Sequence, residues 1–111
     1  MPIVIRRCPQ AQDEHERSRR QYAHTFHLYD SICVADAFDS LPDEHKAAIL
    51  LHELGHLVAG PRASEAEADS VVEEITGVKI WYVDSPYGDH LQYVDSDIAE
   101  KVLNSLFRLS K

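Results

Sequence analysis

The spacing of hydrophobic residues along this chain predicts a first part rich in strands, where they alternate with polar residues, and a second part rich in helices, where they recur every three or four positions. PIVIRR is typical of a short strand, and QYAHTFHL and SICVADAF alternate in the manner of strands. The last two flank a turn at Tyr29, Asp30 and Ser31, which predicts an antiparallel pair. The charged segment QAQDEHERSRRQ between PIVIRR and this pair fits either a solvated helix or a loop.

A long helix is predicted over residues 42–59. Ser40 is the expected N-cap, Pro42 and Asp43 follow as favourable first residues, and Gly60-Pro61 is a stop signal. Apolar residues at helical spacing predict a stripe that faces a core: Ala47, Leu50, Leu51, Leu54, Leu57 and Val58. The opposite side carries His45, Ile49, His52, Glu53 and His56.

A second helix is predicted over residues 65–76, after a capping box formed by Ser64 and Glu67 and before Gly77. VKIWYV and HLQYV then predict either a hairpin or two extended arms of a loop. An amphipathic C-terminal helix is predicted from the spacing of Ile98, Val102, Leu106 and Leu109. Strands followed by helices predict an α+β fold, a single domain over residues 1–111 with a small, mostly antiparallel sheet packed on the helices.

Composition narrows the possible functions. A net charge of -8 over 111 residues argues against nucleic-acid binding, which depends on lysine and arginine. The chain shows neither a signal peptide nor an apolar run long enough to span a membrane, so we expect a cytoplasmic protein. Its two cysteines, Cys8 and Cys33, are expected to be reduced, with Cys33 buried as a small hydrophobic residue.

The predicted long helix contains LLHELGHLVAG, with two histidines four positions apart. Residues at that spacing lie one turn apart on nearly the same face, so His52 and His56 can direct both imidazoles at one zinc ion. Glu53 lies too far round the helix to be a ligand but can reach a water molecule on the open side of the metal. The alternative interpretation of the three polar residues is a solvated helix face.

A second cluster of acidic residues supports the metal site. A turn at Gly60-Pro61 would fold the second helix against the first and bring Glu65 to the histidines as a third ligand. Asp69 follows one turn later on the same face, where it is expected to accept a hydrogen bond from the second ring nitrogen of His52. Gly55 is unfavourable inside a helix and predicts close approach by a neighbouring backbone.

HELGH at 52–56 and EAEAD at 65–69 resemble the gluzincin metallopeptidases, in which HExxH is paired with a glutamate ligand followed by aspartate. The short chain and these two motifs are most similar to the minigluzincins and the ImmA/IrrE-like peptidases. The resemblance covers residues 32–76 and implies a zincin-like fold, Zn²⁺ bound by His52, His56 and Glu65, and Glu53 as general base. The metzincin pattern does not fit, because it needs a glycine at Ala59 and a histidine at Arg62.

These observations predict a zinc endopeptidase with a narrow specificity for a peptide or protein substrate, and with a possible regulatory partner protein. The donor for the oxyanion is expected among Tyr82, Tyr87, His90 and Tyr93, with His90 or Tyr87 favoured. The aromatic residues from Trp81 to Tyr93 are otherwise expected to pack in the core or in loops. The strand SICVADAF either binds extended substrate along its edge or simply pairs in the core.

Two alternatives to an active peptidase stay open. The first is a non-catalytic module, stabilised by zinc, that binds a partner protein; the glutamate beside the first histidine argues against it, since structural sites need no base. The second is a latent enzyme in which the Cys8 thiolate occupies the open zinc position, because thiolates are good zinc ligands.

Overall fold

The computed structural model describes residues 4–7, 23–26, 31–34, 36–60, 62–85 and 88–107. Three short strands come first: β1 (Val4–Arg7), β2 (Ala23–Phe26) and β3 (Ser31–Val34). A 3-10 helix (Asp36–Ser40) leads to α1 (Asp43–Ala59) and α2 (Glu65–Thr76). Strands β4 (Trp81–Ser85) and β5 (Gly88–Tyr93) precede α3 (Ser96–Val102), which continues as a π-helix over Leu103–Phe107. The class is therefore α+β, as predicted.

The first three strands form one sheet in the order β1-β3-β2. β2 and β3 pair antiparallel, which confirms the predicted pair, and β1 joins the other side of β3 in parallel. Strand β3 ends at Val34 and the 3-10 helix follows, so the expectation of one strand through SICVADAF is wrong over its second half. Because β3 is the central strand, it has no edge for substrate; among the described strands the edge next to α1 is β2.

Helix α1 lies at the centre of the molecule and contacts β2, β3, β5, α2 and α3. The helix begins at Asp43, one residue after the predicted start. Ser40 is not the N-cap, because it belongs to the preceding 3-10 helix. Pro42 takes the cap position, and its carbonyl oxygen accepts hydrogen bonds from the backbone N–H groups of His45 and Lys46. Val58, which the periodicity placed on the core stripe, is half exposed near the end of the helix.

Helix α2 has the predicted boundaries of 65–76. The capping box is present, since the Ser64 hydroxyl accepts from the Glu67 backbone N–H and the Glu67 carboxylate accepts from the Ser64 backbone N–H. Gly77 ends the helix with a positive φ of 74°, the left-handed conformation that glycine adopts most easily. This local chemistry fixes where α2 begins, and therefore where Glu65 lies.

The β4–β5 pair is an antiparallel hairpin, which settles the alternative that the sequence left open. Two hydrogen bonds connect the hairpin to the start of α1. The backbone N–H of Val94 donates to the backbone carbonyl oxygen of Glu44, and the His45 ring donates to the carbonyl oxygen of Gln92. Trp81 and Tyr82 each keep nearly half of their surface exposed, so of the expected packing in the core or in loops, the core is excluded at both positions.

One cluster of buried apolar side chains joins the sheets and helices. It includes Ile32 and Val34 from the first sheet, Leu50 and Leu51 from α1, Val72, Leu91, Val94 and Val102. Cys33 is buried beside it as a free thiol, as expected. No helix within the described part of the chain is both long and apolar enough to cross a lipid bilayer.

Candidate metal centre

Helices α1 and α2 touch most closely at Gly55. A Cβ atom placed on Gly55 would lie 2.2 Å from the carbonyl oxygen and 3.0 Å from the Cα atom of Ala68, so only glycine allows this approach. The close backbone contact predicted from Gly55 is confirmed, and its partner is the residue just before Asp69. The contact sets α2 against the face of α1 that carries the histidines, which brings Glu65 and Asp69 within reach of them.

Three possible ligand atoms from these helices converge at one point. His52, His56 and Glu65 each direct one atom into a group whose members all lie within 4.8 Å of one another. The two Nε2 atoms are 3.2 Å apart, and the Oε2 atom of Glu65 lies 3.4 Å from His52 Nε2 and 2.5 Å from His56 Nε2. This is the convergence that the sequence predicted, and the group can hold a metal ion.

The burial of the HExxH residues rules out the solvated helix face. His52, Glu53 and His56 are only 1%, 3% and 6% exposed, which is the burial of core side chains. A polar group removed from water at this level costs free energy unless it finds partners, so these three side chains do not form an ordinary hydrophilic surface. The Glu65 side chain, in contrast, is 61% exposed, so the group opens to solvent on the side of α2.

The separations can be compared with those that a tetrahedral zinc site requires. With ligands at about 2.0–2.1 Å from zinc, neighbouring ligand atoms are about 3.3 Å apart. Two of the three separations, 3.2 Å and 3.4 Å, agree with that value. The third, 2.5 Å between His56 Nε2 and Glu65 Oε2, is shorter than the usual hydrogen bond between nitrogen and a carboxylate and would have to lengthen by about 0.8 Å. The exposed glutamate can make that movement, so the residues present fit the ion.

Asp69 controls which nitrogen of His52 faces the group. Its Oδ1 atom accepts a hydrogen bond from His52 Nδ1 at 2.6 Å, the contact predicted from the sequence. A carboxylate only accepts hydrogen bonds, so the proton of the neutral ring is held on Nδ1 and the lone pair of Nε2 is left for a metal. The other oxygen of Asp69 accepts from the hydroxyl of Tyr82 on β4.

The charges around this network shift two pKa values. Burial acts to lower the pKa of His52, but the hydrogen bond to Asp69 and the carboxylates of Glu53, Asp69 and Glu65 outweigh it, so the pKa is raised. Burial, the bond to Asp69 and the same carboxylates all raise the pKa of Tyr82. Tyr82 therefore stays protonated at neutral pH and remains a hydrogen-bond donor.

Thr25 is a contact of the candidate site that sequence reasoning missed. Its hydroxyl on β2 lies 2.6 Å from the Oε1 atom of Glu53 and 3.2 Å from the Glu53 backbone oxygen. The two residues are 28 positions apart, and no spacing rule relates a strand threonine to a helix glutamate at that distance. The available signal was the alternation of β2, which puts Thr25 on the same face as the buried Ala23.

Some predicted residues fall outside what the structure describes. Tyr87 and Cys8 are outside the described residues, and His90 belongs to β5 with its side chain undescribed, so their roles stay predictions. Of the two candidate oxyanion donors whose side chains are described, Tyr82 and Tyr93, it is Tyr82 whose hydroxyl contacts Asp69.

Comparisons of the chain with protein-family models, with curated proteins and with solved structures give no significant match. The family resemblance therefore rests on the residues of the two motifs alone.

Proposed function

We propose that this protein is a zinc-dependent peptidase of the gluzincin type with a zincin-like arrangement of its helices. The observation that carries the proposal is the convergence of two buried imidazoles and the Glu65 carboxylate, with a buried glutamate next to the first histidine. Two histidines and one glutamate are a ligand set of catalytic zinc sites, which keep one position open. Within the described residues the group has three members, whereas structural zinc sites are closed by four protein ligands.

His52, His56 and Glu65 would hold the ion. When bound there, a zinc ion would polarise the carbonyl of a scissile peptide bond and lower the pKa of a water molecule to about 7. Neutral imidazoles are required for binding, and the Asp69 carboxylate supports the correct tautomer of His52.

Glu53 is assigned the role of general base. It takes one proton from the attacking water while the new bond between carbon and oxygen forms, and then delivers that proton to the nitrogen of the leaving amine as the bond between carbon and nitrogen breaks. A buried carboxylate suits this work, because exclusion of bulk water strengthens its interaction with the reacting groups. The second proton of the water also ends on the amine, so the products are a carboxylate and an ammonium group.

The substrate is proposed to be an extended segment of a peptide or protein. β2 is one of the two edge strands of the first sheet among the described strands. It packs against α1, and Thr25 on this strand contacts Glu53. An extended backbone added to that edge would run past the carboxylate of the base, which is the usual way in which strands capture peptides.

The proposal is tested by comparing the wild type with Glu53→Gln. A library of peptides from a digested proteome would be incubated with each zinc-loaded protein, and new termini would be detected by mass spectrometry. We expect equal zinc content and a rate for the variant lower by about 10²–10⁴-fold, the usual contribution of a general base. Glu74→Gln, the same change at an exposed position on α2, is the matched control and should cut like the wild type.

Two results would contradict the proposal. If Glu53→Gln cuts as fast as the wild type, Glu53 is not the base. If the zinc-loaded wild type cuts nothing, the non-catalytic module or the latent form takes the place of an active peptidase. Cys8→Ser, which removes the thiolate but keeps β1, then separates these two, because only the latent enzyme would gain activity.

A further inference from the structure

The contact between Thr25 and Glu53 joins the edge of the first sheet to the middle of α1. The Thr25 hydroxyl has one proton and lies within hydrogen-bonding distance of two oxygens of the same residue, 2.6 Å from Oε1 and 3.2 Å from the backbone oxygen. The shorter of the two is the length of a charge-assisted bond between a hydroxyl and a carboxylate. Thr25 therefore donates principally to the side chain of Glu53.

The surroundings of Glu53 make the orientation of its carboxylate important. The residue is 3% exposed, so water does not surround the carboxylate as it would on the surface. A glutamate side chain has three rotatable bonds and can turn within such a site. A hydrogen-bond donor fixed on another element restricts that movement.

Strand β2 is suited to hold that donor in place. The backbone of Thr25 is paired with Ile32 of the central strand, and Ile32 is fully buried. The neighbouring inward-facing residue of β2, Ala23, belongs to the core cluster. A threonine side chain adds little freedom of its own, because its branched Cβ restricts χ1. The hydroxyl is thus placed by the sheet and not by a flexible loop.

We propose that Thr25 is a positioning residue for the general base. Its hydroxyl holds Oε1 of Glu53 and so fixes the orientation in which the carboxylate meets the attacking water. This inference rests on the proposed function, and it assigns the role to a residue outside both sequence motifs. Thr25 acts through Glu53 and does not touch the reacting atoms.

Two substitutions separate the hydroxyl from the shape of the side chain. Thr25→Val keeps the branched shape and removes the donor, whereas Thr25→Ser keeps the donor. With a peptide that the wild type cuts, we expect Thr25→Val to lower kcat by about 10-fold at unchanged KM and unchanged zinc affinity, and Thr25→Ser to restore kcat to within about threefold. The loss is smaller than that in Glu53→Gln because the base itself is still present.

A second measurement does not depend on activity. In the metal-free protein, the unfolding equilibrium constant would be measured by urea denaturation for Thr25→Val, Glu53→Met and the double variant. Removing either partner of one hydrogen bond makes removal of the other less costly, so we expect the two effects to be coupled by about 10-fold. Additive effects would show that the Thr25 hydroxyl does not interact with Glu53, whereas the change in kcat separates a positioning role from a structural one.

The outcomes distinguish the two proposals. Additive stabilities together with an unchanged kcat in Thr25→Val overturn the role of Thr25, while an inactive Glu53→Gln leaves the proposed function intact. A zinc affinity that falls in parallel with kcat also overturns it, because Thr25 would then act on the metal ligands. If Glu53→Gln cuts like the wild type, or the zinc-loaded wild type cuts nothing, the proposed function fails and the positioning of a base fails with it, even where the unfolding cycle shows coupling.

Discussion

The carbonyl oxygen of Ala68 occupies the place where a side chain on Gly55 would lie. Glycine inside a helix costs about 1 kcal/mol relative to alanine. The close approach of α1 and α2 offsets this cost, because each helix carries part of the His52, His56 and Glu65 group. Gly55 is therefore as much a part of the site as the residues that point into it.

Gly55→Ala is expected to lower both stability and zinc affinity. The new methyl group cannot fit 2.2 Å from a backbone oxygen, so α2 has to shift and takes Glu65 and Asp69 with it. Overpacking of this kind costs about 1–3 kcal/mol, more than the gain in helix propensity. Urea denaturation and competition with a chromophoric chelator measure the two effects. Val58→Ala, at an exposed position on the same helix, should change neither; an unchanged zinc affinity in Gly55→Ala would contradict the packing argument.

Asp69→Asn is expected to weaken zinc binding by about 10–100-fold, the usual effect of removing the carboxylate behind a histidine ligand. Both oxygens of Asp69 accept hydrogen bonds, one from His52 and one from Tyr82, and an amide offers only one oxygen for the two donors. Chelator competition gives the affinity. Asp97→Asn, at an exposed position of α3, is the control, and equal affinities for the two variants would show that Asp69 does not support the ligand.

Tyr82→Phe is expected to reduce zinc affinity by less than Asp69→Asn, by no more than about tenfold. The substitution removes one donor to Asp69 but leaves the contact between Asp69 and His52 in place. If Tyr82 instead serves substrate turnover directly, kcat will fall much more than zinc affinity. Measuring both quantities on the same variant tells the two roles apart.

The stability of the protein is expected to change with pH in opposite directions without and with zinc. The raised pKa of His52 means that its protonated form stabilises the metal-free fold. That contribution is fully present below the unfolded value of about 6.5 and is lost as the pH rises through the folded value. Zinc requires the neutral ring, so the stability that the metal adds increases over the same range.

Thermal unfolding measured across this range in chelator and in excess zinc checks the prediction. His52→Gln removes the titrating group, and the difference between its metal-free curve and that of the wild type isolates the contribution of His52. Parallel curves for these two metal-free proteins would show that His52 has no part in the pH dependence.

Features fixed by local chemistry could be predicted from the sequence. The ends of α2 follow from the Ser64 capping box and from Gly77, and the contact between Asp69 and His52 follows from helical spacing once the turn at Gly60 brings the helices together. Gly55 could be interpreted correctly because glycine is costly in a helix, so its presence there requires a reason.

Features fixed by contacts between residues far apart along the chain could not be predicted from the sequence. The central position of β3 depends on its parallel pairing with β1, which no local sequence pattern predicts, so the proposed substrate edge is β2 and not β3. Helical periodicity predicts that Val58 lies on the apolar stripe. Val58 is nevertheless exposed, because periodicity does not show where the elements that cover the helix end. Thr25 was missed for the same reason, because a contact across 28 positions is created by the fold alone.

The unequal exposure of the three proposed ligands bears on how fast the ion is exchanged. Both imidazoles are shielded from solvent, whereas water has direct access to the Glu65 carboxylate. Solvent can replace the carboxylate first, so release of the ion would begin at Glu65, and the two nitrogen bonds would break afterwards. The lifetime of the zinc-bound state would thus depend mainly on the least protected ligand, Glu65, which is the first residue of α2.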